Sequence, residues 1–162
     1  MSWQNEMVRI LRFLINDIDA SSYSDDRLEE TILVAAQLQY ASIDFPNTYT
    51  IDVDGLVLSP DPTSVTKDDW FINIVCVKAA CIILDSEAKT LAAQSYIIKD
   101  GPSTIDVSRA YTAAQQMYKD MCDKLAFMIM DYKVGNSVAG HAVLTPYTQE
   151  RLSDGNPIRN FT

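Results

Sequence analysis

The run WFINIVCVKAACIIL, residues 70–84, is interrupted only by Asn73 and Lys78. It is shorter than the roughly 20 residues that span a bilayer, so it predicts a helix buried inside protein. Thr66 and Asp69, just ahead of it, have capping-box spacing. Trp70, Phe71, Ile74, Val77, Ala80, Cys81 and Leu84 then recur at helical intervals. From Asp85 to Gln94 polarity returns, with Asp85 and Lys89 placed for an exposed ion pair. A helix apolar all round must be clad by other elements.

The cladding is legible on both sides. Residues 3–18 place Met7, Val8, Leu11, Leu14, Ile15 and Ile18 on one helical face, with Glu6, Arg9, Arg12 and Asn16 opposite. Ile10 and Phe13 widen the apolar face, which suggests more than one neighbour. In YSDDRLEETILVAAQLQYASIDF, residues 23–45, Ser24, Asp25 and Asp26 compete as N-cap, and Asp26 with Glu29 has capping-box spacing. Leu28, Ile32, Ala35 and Leu38 form the expected buried stripe, and the small Ala35 and Ala36 permit close helix approach. Asp25, Asp26, Glu29 and Glu30 suit a helix start; they have neither the histidine nor the loop spacing of a metal site.

Between these helices, YTIDVDGLVLS at 49–59 alternates around Asp54-Gly55, a two-residue hairpin signal. Such a hairpin is marginal alone, so it must lie on the helices or pair outside the monomer. The segment SYIIKDGPSTIDVS reads as a Gly-Pro loop with a short extended piece at 96–98. A last helix is expected over 107–134, with Val107, Tyr111, Ala114, Tyr118, Met121, Leu125, Met128 and Tyr132 on one face and Arg109, Gln116, Lys119, Asp120 and Asp123 away from it. Its end, LAFMIMDYKV, is apolar nearly all round, which makes Phe127, Met128, Met130 and Tyr132 candidates for a partner surface. Gly135 supplies a C-cap. The remainder has no helical period, and Ala142, Val143, Leu144 and Tyr147 make it an arm suited to ordering against another chain.

The fold expected is therefore mainly α: a helical bundle at 1–135 with a hairpin near 49–59, followed by an extended C-terminal arm at 136–162. The 162 residues, 48% apolar and 22% charged, suffice for one core. A net charge of -9 with dispersed lysines argues against a surface that grips phosphate backbones, although an acidic wall suits a passage for DNA. The opening residues lack a signal-peptide pattern, and Cys76, Cys81 and Cys122 sit in apolar runs, so a reducing compartment is expected. His141, the only histidine, has no ligand or triad partner at the required spacing, and there is no phosphate loop, HExxH or GxSxG. No cofactor, metal, membrane or catalytic activity is expected.

The helix entry carried by Tyr23, Asp26, Arg27, Leu28 and the residues to Ala36, followed by DDWFINIVCVKAACIIL at 68–84, resembles the head-tail connector adaptors of tailed bacteriophages. The resemblance implies a non-enzymatic virion protein, assembled in the host cytoplasm as a homo-oligomeric ring of twelve subunits. Such a ring lies under the portal protein, extends the channel for double-stranded DNA and docks the next neck or tail protein. Residues 140–148 correspond to a docking segment. A tail-completion or terminator component is the related alternative. The unrelated one is a small metal-dependent hydrolase or nucleic-acid-modifying enzyme built on Asp17, Asp19, Asp25 and Asp26.

Overall fold

A computed structural model describes residues 2–64, 66–94, 97–100, 103–106 and 108–135. The elements are α1 (Trp3–Leu14), α2 (Asp25–Tyr40), β1 (Thr50–Asp52), β2 (Val57–Ser59), α3 (Asp69–Gln94), β3 (Ile97–Asp100), β4 (Ser103–Asp106) and α4 (Ser108–Gly135). The fold is mainly helical, and the chain divides into compact units at Met1–Met128 and Ile129–Thr162. The expected arm, with Ala142, Val143, Leu144 and Tyr147, lies outside the described residues, as does His141.

The apolar run becomes the first half of α3, and it is the centre of the core. Phe71, Ile72, Ile74, Val75, Cys76, Val77, Ala79, Ala80, Cys81, Ile83 and Leu84 are all buried. Residues on every side of a helix can be buried only if several elements surround it. Met7, Val8 and Leu11 of α1 and Ile32, Leu33, Ala35 and Ala36 of α2 supply two of those walls. The Cys76 thiol donates to the Met7 carbonyl across the α1–α3 contact, 3.7 Å away. Burial, with the Glu6 charge nearby, pushes that thiol up to about 12. Among the described residues, no helix is long and apolar enough to cross a membrane.

The first hairpin packs on its own unit. Its register pairs Thr50 with Ser59, Ile51 with Leu58 and Asp52 with Val57. Leu58 is buried, Tyr49 stacks on Phe71 at 4.1 Å between ring centroids, and Phe45 meets the same ring edge-on at 5.2 Å. These aromatics anchor a ladder too short to persist alone. The expected two-residue turn is corrected: Val53–Leu56 form a four-residue connection. The Gly55 N–H donates to the Asp52 carboxylate at 3.1 Å, and Leu56 takes the left-handed conformation at φ 52°.

Further differences have local causes. Helix α1 stops at Leu14 rather than Ile18, because Asn16 turns left-handed at φ 58° and Ile18 swings out to 57% exposure. Leu38 is exposed; Gln39 takes the buried position beside Ala35 and Ala36. The 96–98 extended piece lies within a segment that contains a second hairpin, with Ile97 opposite Asp106 and Asp100 opposite Ser103. Alternation there is too short to separate from a loop in the sequence. Val107 and the Arg109 side chain are outside what is described.

Both expected capping boxes move. Helix α2 is capped by Ser24, whose hydroxyl accepts from the Arg27 N–H at 3.4 Å, not by Asp26 with Glu29. Helix α3 is capped by Asp68, not Thr66 with Asp69. The Asp68 carboxylate accepts from the Phe71 N–H at 3.0 Å and from Tyr49 Oη and Asn47 Nδ2, each at 2.9 Å. Burial and this carboxylate together raise the Tyr49 phenol. Asp68 therefore joins hairpin to helix while capping it, which a spacing rule has no means to weigh.

Candidate functional site

Two surfaces among the described residues stand out once the core is assigned. The first surrounds the start of α2. Arg12, placed by periodicity on the solvent side of α1, turns across the α1–α2 loop and becomes its organiser. Its guanidinium donates to Asp17 Oδ2 at 2.6 Å, to Asp25 Oδ1 at 2.5 Å and to the Tyr23 carbonyl at 2.9 Å. Asp17 is buried and also accepts from the backbone N–H groups of Ser21 and Ser22 at 3.0 Å and Tyr23 at 3.3 Å. Burial pushes this carboxyl up, but the Ser22, Tyr23 and Ser21 N–H groups and the Arg12 charge together outweigh that and hold it below its ordinary value.

This arrangement corrects the sequence reading of Arg12 as a solvated residue. The available signal was an acid five residues further on, in a loop too short to leave Asp17 in water. It also brings Asp17 and Asp25 together, as the metal-site alternative required, but on a guanidinium. Asp19 and Asp26 are exposed. Among the described residues, no group of three or more His, Cys, Asp or Glu is arranged to hold a metal.

Tyr23 pins the loop to α3 through a hydroxyl hydrogen bond to Glu87. Burial and this bond push the phenol up to about 12, and Arg27 lies over its ring, 5.1 Å from the centroid. Beside the knot runs a groove of about 340 Å³ between α1 and the start of α2. Phe13 and Ile18 line it while exposing 63% and 57% of their surface. Arg9 stands on its α1 side and Glu29 on its α2 side. Burial raises the Glu29 carboxyl, and the neighbouring charges of Asp26 and Asp25 add to the effect.

The second surface is the outer side of α4. The expected inner face holds: Leu125 and Tyr132 are buried, and Tyr111, Ala114, Tyr118, Met121 and Met128 are half-buried. Met121 packs on the core, and burial together with the neighbouring Cys122 raises the Cys81 thiol of α3 to about 12. Phe127, Met130 and Val134 are 64%, 56% and 64% exposed. At about 100° per residue, their spacing of three and four keeps them within about 60° of one another, opposite the buried face. Of the interface candidates, Phe127 and Met130 are thus open, Met128 is partly covered and Tyr132 is corrected to a buried position; Val134 was missed. Leu28 is core, Thr66 and Asp69 are exposed, and Asp69 lies 3.6 Å from Lys67.

Comparison with protein-family models, curated proteins and solved structures finds no match to this chain.

Proposed function

We propose that this chain is a structural assembly subunit: the protomer of a ring at the head-tail junction of a tailed phage. It sits under the portal, surrounds the DNA passage and docks the next neck or tail protein. The observation that carries the assembly role is the outer stripe of α4, where Phe127, Met130 and Val134 face outward while Leu125 and Tyr132 bury the opposite side. Three large apolar side chains on one exposed helical stripe cost solubility unless a partner covers them. The connector assignment rests on the resemblance of residues 23–36 and 68–84, and the net charge of -9 suits a conduit that does not grip DNA.

Native mass spectrometry of the purified full chain tests this reading. The expected result is a closed homo-oligomer near twelve subunits, converted to smaller species by Phe127→Ser with Met130→Ser. A chain that stays monomeric at micromolar concentration, alone and with portal protein, overturns it.

A further inference from the structure

Helix α3 buries more than its contacts with α1, α2 and the first hairpin account for. Those contacts are made by residues such as Phe71, Val75, Ala79 and Ile83. A second row, Ile74, Val77, Cys81, Leu84 and Ala88, is also buried but lies outside that cluster. Its intervals of three and four residues trace one side of the helix, as in the seam of two helices packed lengthwise. The inner face of α4 has the same spacing at Tyr118, Met121 and Leu125.

Two neighbour relations, both inside the first compact unit, fix how the rows meet. Cys81 has Cys122 beside it, and the Asp85 charge acts on Tyr118. One turn forward on α3 thus matches one turn back on α4, which is the register of antiparallel helices and sets the two sulfurs at one level. Cys81 is buried and Cys122 half-buried, so one thiol is shielded while its neighbour is open to reagents in solvent. Cys76 stands about 140° round α3 from Cys81, against the Met7 carbonyl of α1, and takes no part.

We propose that Cys81 and Cys122 form an oxidisable pair, which a low-molecular-weight disulfide converts into an internal cystine stapling α4 to α3. The inference concerns the subunit alone and does not depend on the assembly reading. The Cys122 thiolate, its proton lost to water, attacks one sulfur of the reagent and expels the other as a thiolate, leaving a mixed disulfide. Cys81 then gives up its proton and attacks the Cys122 sulfur, expelling the second reagent thiolate. Two protein thiols lose two electrons, the reagent is reduced to two thiols, and the two protons end on those thiols. Burial of Cys81 makes the second step the slower, so the mixed disulfide precedes the cystine. A cystine holds its two Cα atoms within about 7 Å, so closure fixes α4 on the second row of α3. In a reducing compartment the pair stays as thiols, and in an oxidising one it closes.

The experiment treats the full-length, fully reduced chain with oxidised glutathione at mildly alkaline pH and maps the product by peptide mass spectrometry without reduction. The expected product is one Cys81–Cys122 cystine, with Cys76 still a thiol. The cross-link closes a loop of about 40 residues and should raise the melting temperature by roughly 5–15 °C, a gain that dithiothreitol reverses. Cys122→Ser should form no cystine and show no rise, and Cys81→Ala should stop at a glutathione adduct on Cys122. A wild-type chain that stays reduced, stops at that adduct, links Cys122 between two copies, pairs Cys76, or closes with no rise in melting temperature overturns the proposal.

Discussion

Helices α3 and α4 are nearly equal in length, at 26 and 28 residues, and both carry apolar side chains on more than one face. In α3, α1, α2 and the first hairpin cover the entry half, so Phe71, Ile72, Ile74, Val75 and Cys76 are all buried. In α4, the inner face is covered, but Phe127, Met130 and Val134 remain in solvent. The difference teaches that apolarity all round marks a helix needing several neighbours, and that only the fold shows whether the chain provides them. Where it does, the residues stabilise the subunit; where it does not, they are available to an assembly.

The sharpest way to break this comparison is to truncate one aromatic in each helix. Phe71→Ala removes a fully buried ring packed on Tyr49 and Phe45 and is expected to cost about 3–5 kcal/mol in urea unfolding. Phe127→Ala should change subunit stability by less than about 0.5 kcal/mol while reducing oligomer in sedimentation velocity. Equal destabilisation by the two would remove the distinction.

The cap of α3 offers the next largest effect. Asp68→Ala leaves the Phe71 N–H, the Tyr49 hydroxyl and the Asn47 amide without their acceptor and should cost about 2–3 kcal/mol. Thr66→Ala, in contrast, should be near neutral by the same denaturation assay.

Asp17 tests the knot that shapes the groove. Its folded-state pKa lies below the ordinary value of 3.8, so the unfolded chain binds more protons between the two. The stabilisation is fully present above 3.8 and is lost as pH falls through the lower folded value. Asp17→Asn should lower the melting temperature at pH 7 and flatten its decline between pH 4 and pH 2, read by circular dichroism; an unchanged acid limb would count against the knot.

The smallest effect concerns α2. Gln39 is buried, and its Oε1 has no hydrogen-bond partner among the described residues. Gln39→Met should raise stability by about 1 kcal/mol in thermal melts, whereas Leu38→Met, on the exposed flank, should leave it unchanged.

Much of this architecture was legible before any coordinates. The length and burial of α3, the inner face of α4 and the existence of the first hairpin follow from periodicity, because a 3.6-residue or two-residue period reports directly which side of an element meets apolar surroundings. The candidate surfaces were read less evenly. Phe127 and Met130 stood out because the end of α4 is apolar nearly all round, but Tyr132 belongs to the covered face. The groove was invisible: Phe13 read as widening the apolar face of α1 toward a further neighbour yet is exposed, and nothing in a helical wheel says that Asn16 ends the helix and turns Ile18 outward.

The sequence by itself determined which segments are helical and that α3 must be enclosed, since the cost of exposing that run scales with its apolar area whatever the neighbours are. Only the tertiary structure decided where the helices begin and which polar groups organise the loops. Ser24 caps α2 while Asp25 is drawn to Arg12, and Asp68 caps α3 while it also holds Tyr49 and Asn47. Several donors and acceptors lie within reach of each helix start along the chain. The choice among them falls to the partner that long-range packing brings within hydrogen-bond distance, and spacing along one helix carries no record of that partner.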